Sequence, residues 1–396
     1  MNIAIITSES PYPDNSGGRK YTWERIKALK KYGNRLFLYS FNDEYLKEND
    51  INTMNDICES IKLYSRNKKI MLNLLNFYKP FTAYSRFNKN LRKDIINDIK
   101  KESIDLIIVD APQLLYNVSS INNIPLVLSQ HNIEYKTFLD ISRKSKNIMK
   151  KLSYLFEGIK LKKFEENFYK KEMINLYTFI STEEKEFFEK EFNKKNTLLV
   201  RMGVNVEKSD REKDRINRIS FIGKMNYYPN VEAIKWFCND IFPIISDRLN
   251  KNVDLYIVGK DPVKDIRDFK DENIYVTGTV DDVKQYIDNS DIIIIPLLSG
   301  GGVKIKLLEA LSRNKIVVTT SKGIEGTEFK NNIHLLVADN VKDFAEKCID
   351  VLCNADKYEY LIKNSFDILE KEYSWNSIGA NYNDALEKLV SKNRRI

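Results

Sequence analysis

Histidine and cysteine are scarce in this chain, with two and four copies among 396 residues. His131 and His334 stand far apart, and Cys58, Cys238, Cys348 and Cys353 share no metal-ligand spacing. A zinc cluster is therefore not expected, and the scattered thiols suit a reducing cytoplasm better than a disulfide scaffold. Glycine and proline are also few, 14 and 9, which speaks against a disordered or collagen-like chain. Fixed-period repeats are missing. No apolar run nears the roughly 20 residues of a membrane-spanning helix. The opening MNIAIITSESPYP lacks a basic n-region and a secretory h-region, so no signal peptide is expected and the location read is cytoplasmic. Neither GxGxxG nor GxxxxGKS/T occurs, which weakens a dinucleotide oxidoreductase or a P-loop ATPase.

What is present is an ordinary globular composition on a length that suits two cores. The formal net charge is +8. Acidic residues are mixed with the basic ones almost everywhere, and no nucleic-acid motif appears. Anionic small molecules or an anionic membrane surface fit that balance.

Short apolar runs alternate with helical patterns. The runs are NIAIIT, RLFLYS, ESIKLY, IDLIIV, IPLVLS and LYTFIS in the first half, then RISFIG, VDLYIV, NIYVTG, DIIIIP, KIVVTT and NIHLLVA. Near-continuous apolar strands separated by helices mean parallel sheets covered on both faces. Two such series predict two doubly wound α/β domains. They break around TLLVRMGVNVEKSDREKDRINR, giving domains at 1–205 and 219–372 with a linker at 206–218. A final helix is expected within 373–396.

Ligands of open α/β sheets bind beyond the carboxyl ends of the strands, here in the cleft between two domains. Three loops qualify. After the first strand, Gly17 and Gly18 precede a helix expected to begin near Arg19, a place where backbone N–H groups can meet an anion. Just past IPLVLS, His131 can donate to a sugar hydroxyl or a substrate carbonyl, act as a base, or simply be satisfied by nearby backbone. Glu134, one turn later, orients an acceptor or caps the next helix. After DIIIIP, the run Gly300, Gly301, Gly302 lets the chain turn, and a helix is expected near Val303. On that helix Lys306 and Glu309 share a face. The lysine can neutralise phosphate and the carboxylate can accept from ribose hydroxyls, as against a plain surface ion pair.

SGGGVKIKLLEALSRNKIVVTT closely resembles the signature of retaining glycosyltransferase family 4, of GT-B fold. PYPDNSGGRKY, SQHNIEY, SFIGKMNYYPNVEAIKWF, VTGTVDDVKQYIDNSDIIIIP, SKGIEGTEF and the terminal YSW fit it too, in order and over nearly the whole chain. The resemblance implies a nucleotide diphosphate sugar donor on the second domain and a glycan, lipid-linked or protein acceptor on the first. It implies no resident cofactor and no metal. Glu309 looks like the second glutamate of the family's E-x7-E motif, on the ribose; Gly301 stands where the first would be, in a GGG variant of the motif. Lys224, in FIGK, falls at the diphosphate. Gly17 and Gly18 match the loop that closes on phosphate, and His131 the histidine near the transferred sugar. Val280, after Gly278, resembles part of the nucleobase pocket. Asn230 stands where a second phosphate-binding lysine is expected, with Lys306 as its substitute. The final helix resembles one that crosses back to the first domain. The rival readings are a GT-B-like sugar-nucleotide epimerase and a catalytically silent binding subunit.

One segment is left over. Residues 143–171, RKSKNIMKKLSYLFEGIKLKKFEENFYKK, carry ten basic and three acidic residues. Ile148, Leu152, Leu155, Phe156 and Ile159 recur at helical spacing beside Lys150, Lys151, Lys160, Lys162 and Lys163. Either this stripe packs on the first domain under a solvated basic face, or it lies on anionic lipid at the inner membrane face.

Overall fold

The computed structural model describes residues 1–67, 79–145, 147–206, 217–269 and 272–394. The chain forms two compact units, Met1–Arg201 with Ile378–Ile396, and Met202–Ser377. The expected linker lies outside the described residues over 207–216, and Arg218, assigned to it, instead opens a strand.

In the first unit the strands are β1 (Asn2–Thr7), β2 (Arg35–Phe41), β3 (Ser60–Tyr64), β4 (Leu106–Val109), β5 (Leu126–Gln130), β6 (Leu176–Phe179) and β7 (Thr197–Leu199). They make one parallel sheet in the order β3-β2-β1-β4-β5-β6-β7. Strand β7 has no counterpart in the sequence reading, which took TLLV as part of the break between domains. Three half-buried residues on a sheet edge leave little periodicity to detect. Apolar side chains of β1, β2, β4 and β5, such as Ile6, Phe37, Ile107 and Leu128, are enclosed by helices and fill the core.

The second unit has β8 (Arg218–Ile222), β9 (Asp254–Val258), β10 (Ile274–Gly278), β11 (Ile292–Ile295), β12 (Ile316–Thr319) and β13 (Leu336–Val337). These run parallel in the order β10-β9-β8-β11-β12-β13. Both sheets reverse their strand order once, between β1 and β4 and between β8 and β11. Loops leaving those strands diverge to opposite faces there and open a crevice at the carboxyl ends.

Residues Met202–Asn205, expected in the first domain, belong to the second unit for a local reason. Val204 exchanges backbone hydrogen bonds with Tyr373 and Trp375. Gly203 lies so close under Trp375 that an added Cβ would meet the indole at 2.6 Å. The final helix is Trp375–Asn393, and its body belongs to the first unit from Ile378 onward. It is held there by Asn34, which donates to Asn383 Oδ1 at 2.7 Å, and by Gly379 against Ala28 and Tyr32.

Candidate active site

Each unit carries its own group of polar residues at its switch point. In the first unit, β1 leads through a loop to the helix Gly17–Lys31, which starts at Gly17 rather than near Arg19 because Ser16 caps it. Arg25 on this helix faces inward. It donates to Asp110, just beyond β4, and to Ser129 on β5. Thr22 Oγ1 donates to the other Asp110 oxygen at 2.7 Å. His131 Nε2 lies 2.9 Å from Asp110 Oδ1. Although Asp110 is deeply buried, Arg25 and His131 hold its carboxyl well below the usual carboxylate range. An ionised carboxylate only accepts, so Nε2 carries the proton that it donates, and Nδ1 stays available. That nitrogen is 4.0 Å from where a Cβ on Gly18 would stand. The edge of the Tyr21–His131 ring pair, with centroids 5.0 Å apart, limits how the imidazole can turn.

Gly18 and His131, picked separately from sequence, thus adjoin. Glu134 does not cap the helix Glu134–Lys144, whose N-cap is the buried Ile133; the Ile133 N–H donates instead to Glu184 Oε1 at 3.2 Å. Burial raises the Glu134 carboxyl, against the nearby His131 and Arg86. Asp110, Arg25 and Thr22 were missed. A carboxylate directly after an uninterrupted apolar strand, IDLIIVD, was the available signal for Asp110.

In the second unit three segments converge. Gly223, after β8, lies beneath Asn230 and Lys306: a Cβ there would stand 2.8 Å from Asn230 Nδ2 and 2.8 Å from Lys306 Nζ. Asn230 Nδ2 donates to Lys224 O at 2.8 Å, and Lys306 Nζ donates to Asn230 Oδ1 at 2.8 Å. The ammonium also lies over the Phe221 ring, 4.1 Å from its centroid. Burial first, then the neighbouring Lys304, push the Lys306 pKa down to about 7, with Glu309 opposing. Lys306 therefore does reach the Asn230 position, where the expected lysine is missing.

The glycine loop after β11 comes next. Gly300 and Gly302 have φ of 99° and 72°, a region that disfavours any side chain. Lys304 is the residue that ties this loop, donating to Gly300 O and Gly302 O, and it was not singled out from sequence. It stands at the N-cap position, without a side-chain cap bond, of the helix Ile305–Ser312, which so starts two residues after Val303. Ser299 Oγ donates to Glu232 at 2.6 Å, and Gly300 rests on Pro229. Gly326, from SKGIEGTEF, approaches Val303 and Gly302 on the other side. Gly301 differs from its neighbours: a Cβ would meet nothing within 4 Å. Lys224 adjoins the group through its backbone, while its side chain is exposed. Glu309 is half-buried on the same helix as Lys306. Val280 is half-buried after β10 and shares no hydrogen bond with this group. A cavity of about 450 Å³ in this unit, lined by Val204, Phe366, Glu370 and Trp375 among others, includes none of these residues.

Residues 216–354 match the family described as Glycosyl transferases group 1. Over 387 residues the chain is 23% identical to an uncharacterized 44.6 kDa protein in the cps region of Klebsiella pneumoniae, covering 94% of this chain and 96% of that protein. Among solved structures it is similar to a glycosyltransferase from Rickettsia africae ESF-5, with a TM-score of 0.67, 15% identity and 98% of each chain covered. It is likewise similar to Anabaena HepE in complex with UDP, with a TM-score of 0.65, 13% identity, and coverage of 98% of this chain and 100% of that one. The fold is GT-B, and residues 216–354 within it are similar to the Glycosyl transferases group 1 family.

Proposed function

We propose that this protein is a retaining glycosyltransferase, taking a sugar from a nucleoside diphosphate sugar and passing it to a glycan, lipid-linked or protein acceptor. The observation that carries this reading is the half-buried Lys306 ammonium at the β8–β11 switch point, which donates to Asn230 Oδ1, lies over the Phe221 ring and has no ion-pair partner among the described residues. A cation drawn partly out of water without an ion-pair partner suits an anion, and the likeness of residues 216–354 to Glycosyl transferases group 1 supports a diphosphate as that anion.

On this reading Lys306, the exposed Lys224 and the amides of the glycine loop meet the charge that develops on the β-phosphate as the glycosidic bond breaks. The departing phosphate oxygen then takes the proton of the acceptor hydroxyl as that oxygen bonds to the anomeric carbon on the same face. No strong general base and no metal is required. Glu309 accepts from the ribose hydroxyls, Val280 borders the base, and Gly17 and Gly18 serve the phosphates. His131, held through Nε2 by Asp110, presents Nδ1 to a sugar hydroxyl. Similar solved structures hold UDP, and in one case UDP-glucose, which favours a uridine nucleotide for the first trials.

The test is thermal stabilisation by a panel of nucleoside diphosphate sugars. A ligand at 100 times its dissociation constant should stabilise by about 2.7 kcal/mol. Nuclear magnetic resonance of the product made with that donor then reads the anomeric configuration. No shift with any donor removes the reading, and an inverted product removes the retaining mechanism.

A further inference from the structure

The helix Ile148–Tyr169 is apolar on two opposite sides. One side is used: Gly158, Leu161, Phe164 and Phe168 are buried, and Phe164 and Phe168 join the core of the first unit. Ile148, Met149, Leu152, Phe156 and Ile159 point the other way. At about 100° per residue they fall within one arc of about 100°, centred roughly opposite the buried set. Each is between 47% and 78% exposed. The expectation that this stripe packs on the first domain is thus corrected. Leu155 is half-buried, but the rest of the stripe faces solvent. The core has no room for both sides, because Gly158 already lets the neighbouring helix in, with Leu139 at 3.0 Å from an added Cβ. From that neighbour Ile141 adds a further exposed apolar side chain, 41% open.

Charge surrounds the stripe with one sign. Lys151 and Lys163, exposed, and Lys160, half-buried, stand beside or within it, and none has an ion-pair partner among the described residues. The acids of the helix are engaged elsewhere. Glu157 accepts from Thr82, Glu165 is buried with Tyr169, and Glu166 faces Lys162. Lys146, part of the same basic segment, lies outside the described residues.

We infer that this face of the helix Ile148–Tyr169 docks on an anionic membrane surface, its apolar stripe entering the headgroup boundary and its lysines meeting lipid phosphates. A stripe of large apolar side chains flanked by unpaired lysines matches that surface in both respects. A second copy of the chain matches less well, since apposing two such faces would bring like-charged lysine rows together. Among the described residues no helix is long and apolar enough to cross a membrane, and the contact inferred is peripheral. The inference is independent of the proposed chemistry.

The test is co-sedimentation of the full chain with phosphatidylcholine vesicles containing none, some or mostly phosphatidylglycerol. Binding should rise with phosphatidylglycerol content and weaken when salt is raised from about 0.02 to about 0.5 M, as screening shortens the range of charge attraction. Lys151→Glu with Lys163→Glu should lower the partition coefficient at least about 25-fold, each lysine near such a surface being worth roughly fivefold. Phe156→Ser should lower it about tenfold while leaving the thermal midpoint in place, since the ring is already exposed. Failure to bind at low salt, binding indifferent to lipid charge, or binding unchanged in both variants would overturn the inference. So would a concentration-dependent doubling of mass by light scattering that Phe156→Ser abolishes, which would give the face to a second copy.

Discussion

Around His131 the two inward-facing arginines of the first helix are paired with carboxylates. Arg25 is neutralised by Asp110, and Arg19, closer to the loop, by Glu9 and Glu44. Around Lys306 the reverse holds. Lys304 and Lys306 have carbonyl and amide oxygens as hydrogen-bond partners, and burial lowers the pKa of both. The first arrangement stabilises itself and serves to aim one imidazole. The second is unfavourable until something negative arrives, which is the behaviour expected of a site that stores its electrostatic capacity for a ligand. Two units with the same strand order have thus been put to different uses by the residues at their switch points.

The sharpest way to break the contrast is to remove one charge from the self-compensated side. Asp110→Ala leaves the Arg25 guanidinium buried and unpaired, and removing one partner of such a pair typically costs about 3–5 kcal/mol. Urea unfolding should show that loss. His131→Ala removes a partly exposed ring and should unfold at nearly the wild-type midpoint, while lowering sugar transfer and sparing nucleotide binding. Equal destabilisation by both would mean that the imidazole is structural.

On the other side the expected losses appear in binding and turnover. Glu309→Ala should weaken nucleoside diphosphate sugar binding by about 2–4 kcal/mol, the worth of two charge-assisted hydrogen bonds, in a protein that still folds. Calorimetry with an unchanged dissociation constant would take Glu309 off the ribose. Lys306→Met should cut turnover by about 100-fold or more, the usual consequence of losing one preorganised donor. Lys224→Ala should cost less, because the Lys224 side chain is exposed and its charge is more strongly screened. A ranking with Lys224 above Lys306 would move the diphosphate toward the FIGK loop.

The depressed Lys306 supplies a pH signature. With its pKa near 7 in the free protein, Lys306 is largely neutral at pH 8, and an arriving diphosphate raises that pKa again. Binding then takes up a proton above about pH 7, and the dissociation constant should rise about fivefold from about pH 7 to about pH 8. Lys306→Met should flatten the profile. Stability moves the opposite way: the unfolded chain holds this proton up to its ordinary value of 10.5, so between about 7 and 10.5 the unfolded state binds more protons. This group's contribution to stability therefore increases with pH across that window.

How much of this was legible beforehand follows from what each feature depends on. Strands such as Ile292–Ile295 announce themselves because a parallel strand buried on both faces is apolar without interruption, and with them came the two-sheet architecture and the loops that carry chemistry. Gly300 to Gly302, Lys306 and His131 stood out because they follow such strands directly. Asp110 follows one as well, but its meaning rests on Arg25, 85 residues away in sequence and recognisable as a partner only once β1 and β4 are adjacent. Lys304 looked like any lysine before a helix; its burial depends on the positive-φ turn that its own side chain closes. The stripe on Ile148–Tyr169 showed its spacing but not its direction, since a helix with two apolar sides gives the same periodicity whichever side the core takes.

The smallest effect separates glycines of one loop. Gly302 has φ of 72°, and Gly302→Ala should destabilise by about 1 kcal/mol through backbone strain alone. Gly301 lacks a positive φ, and an added Cβ there meets nothing within 4 Å. Gly301→Ala should therefore leave the urea midpoint within about 0.5 kcal/mol of wild type, and Gly301→Glu should behave the same way, as surface changes do. Backbone geometry does not account for a glycine at 301, so its smallness belongs to the site, where a carboxylate would stand on the loop that closes over Lys304. If Gly301→Glu folds normally but weakens donor binding, the bare loop is a requirement for binding that donor. If donor binding is unaffected and turnover changes, residue 301 acts on the transferred sugar. A fall in stability equal to that of Gly302→Ala would show instead that residue 301 is a backbone glycine like its neighbour.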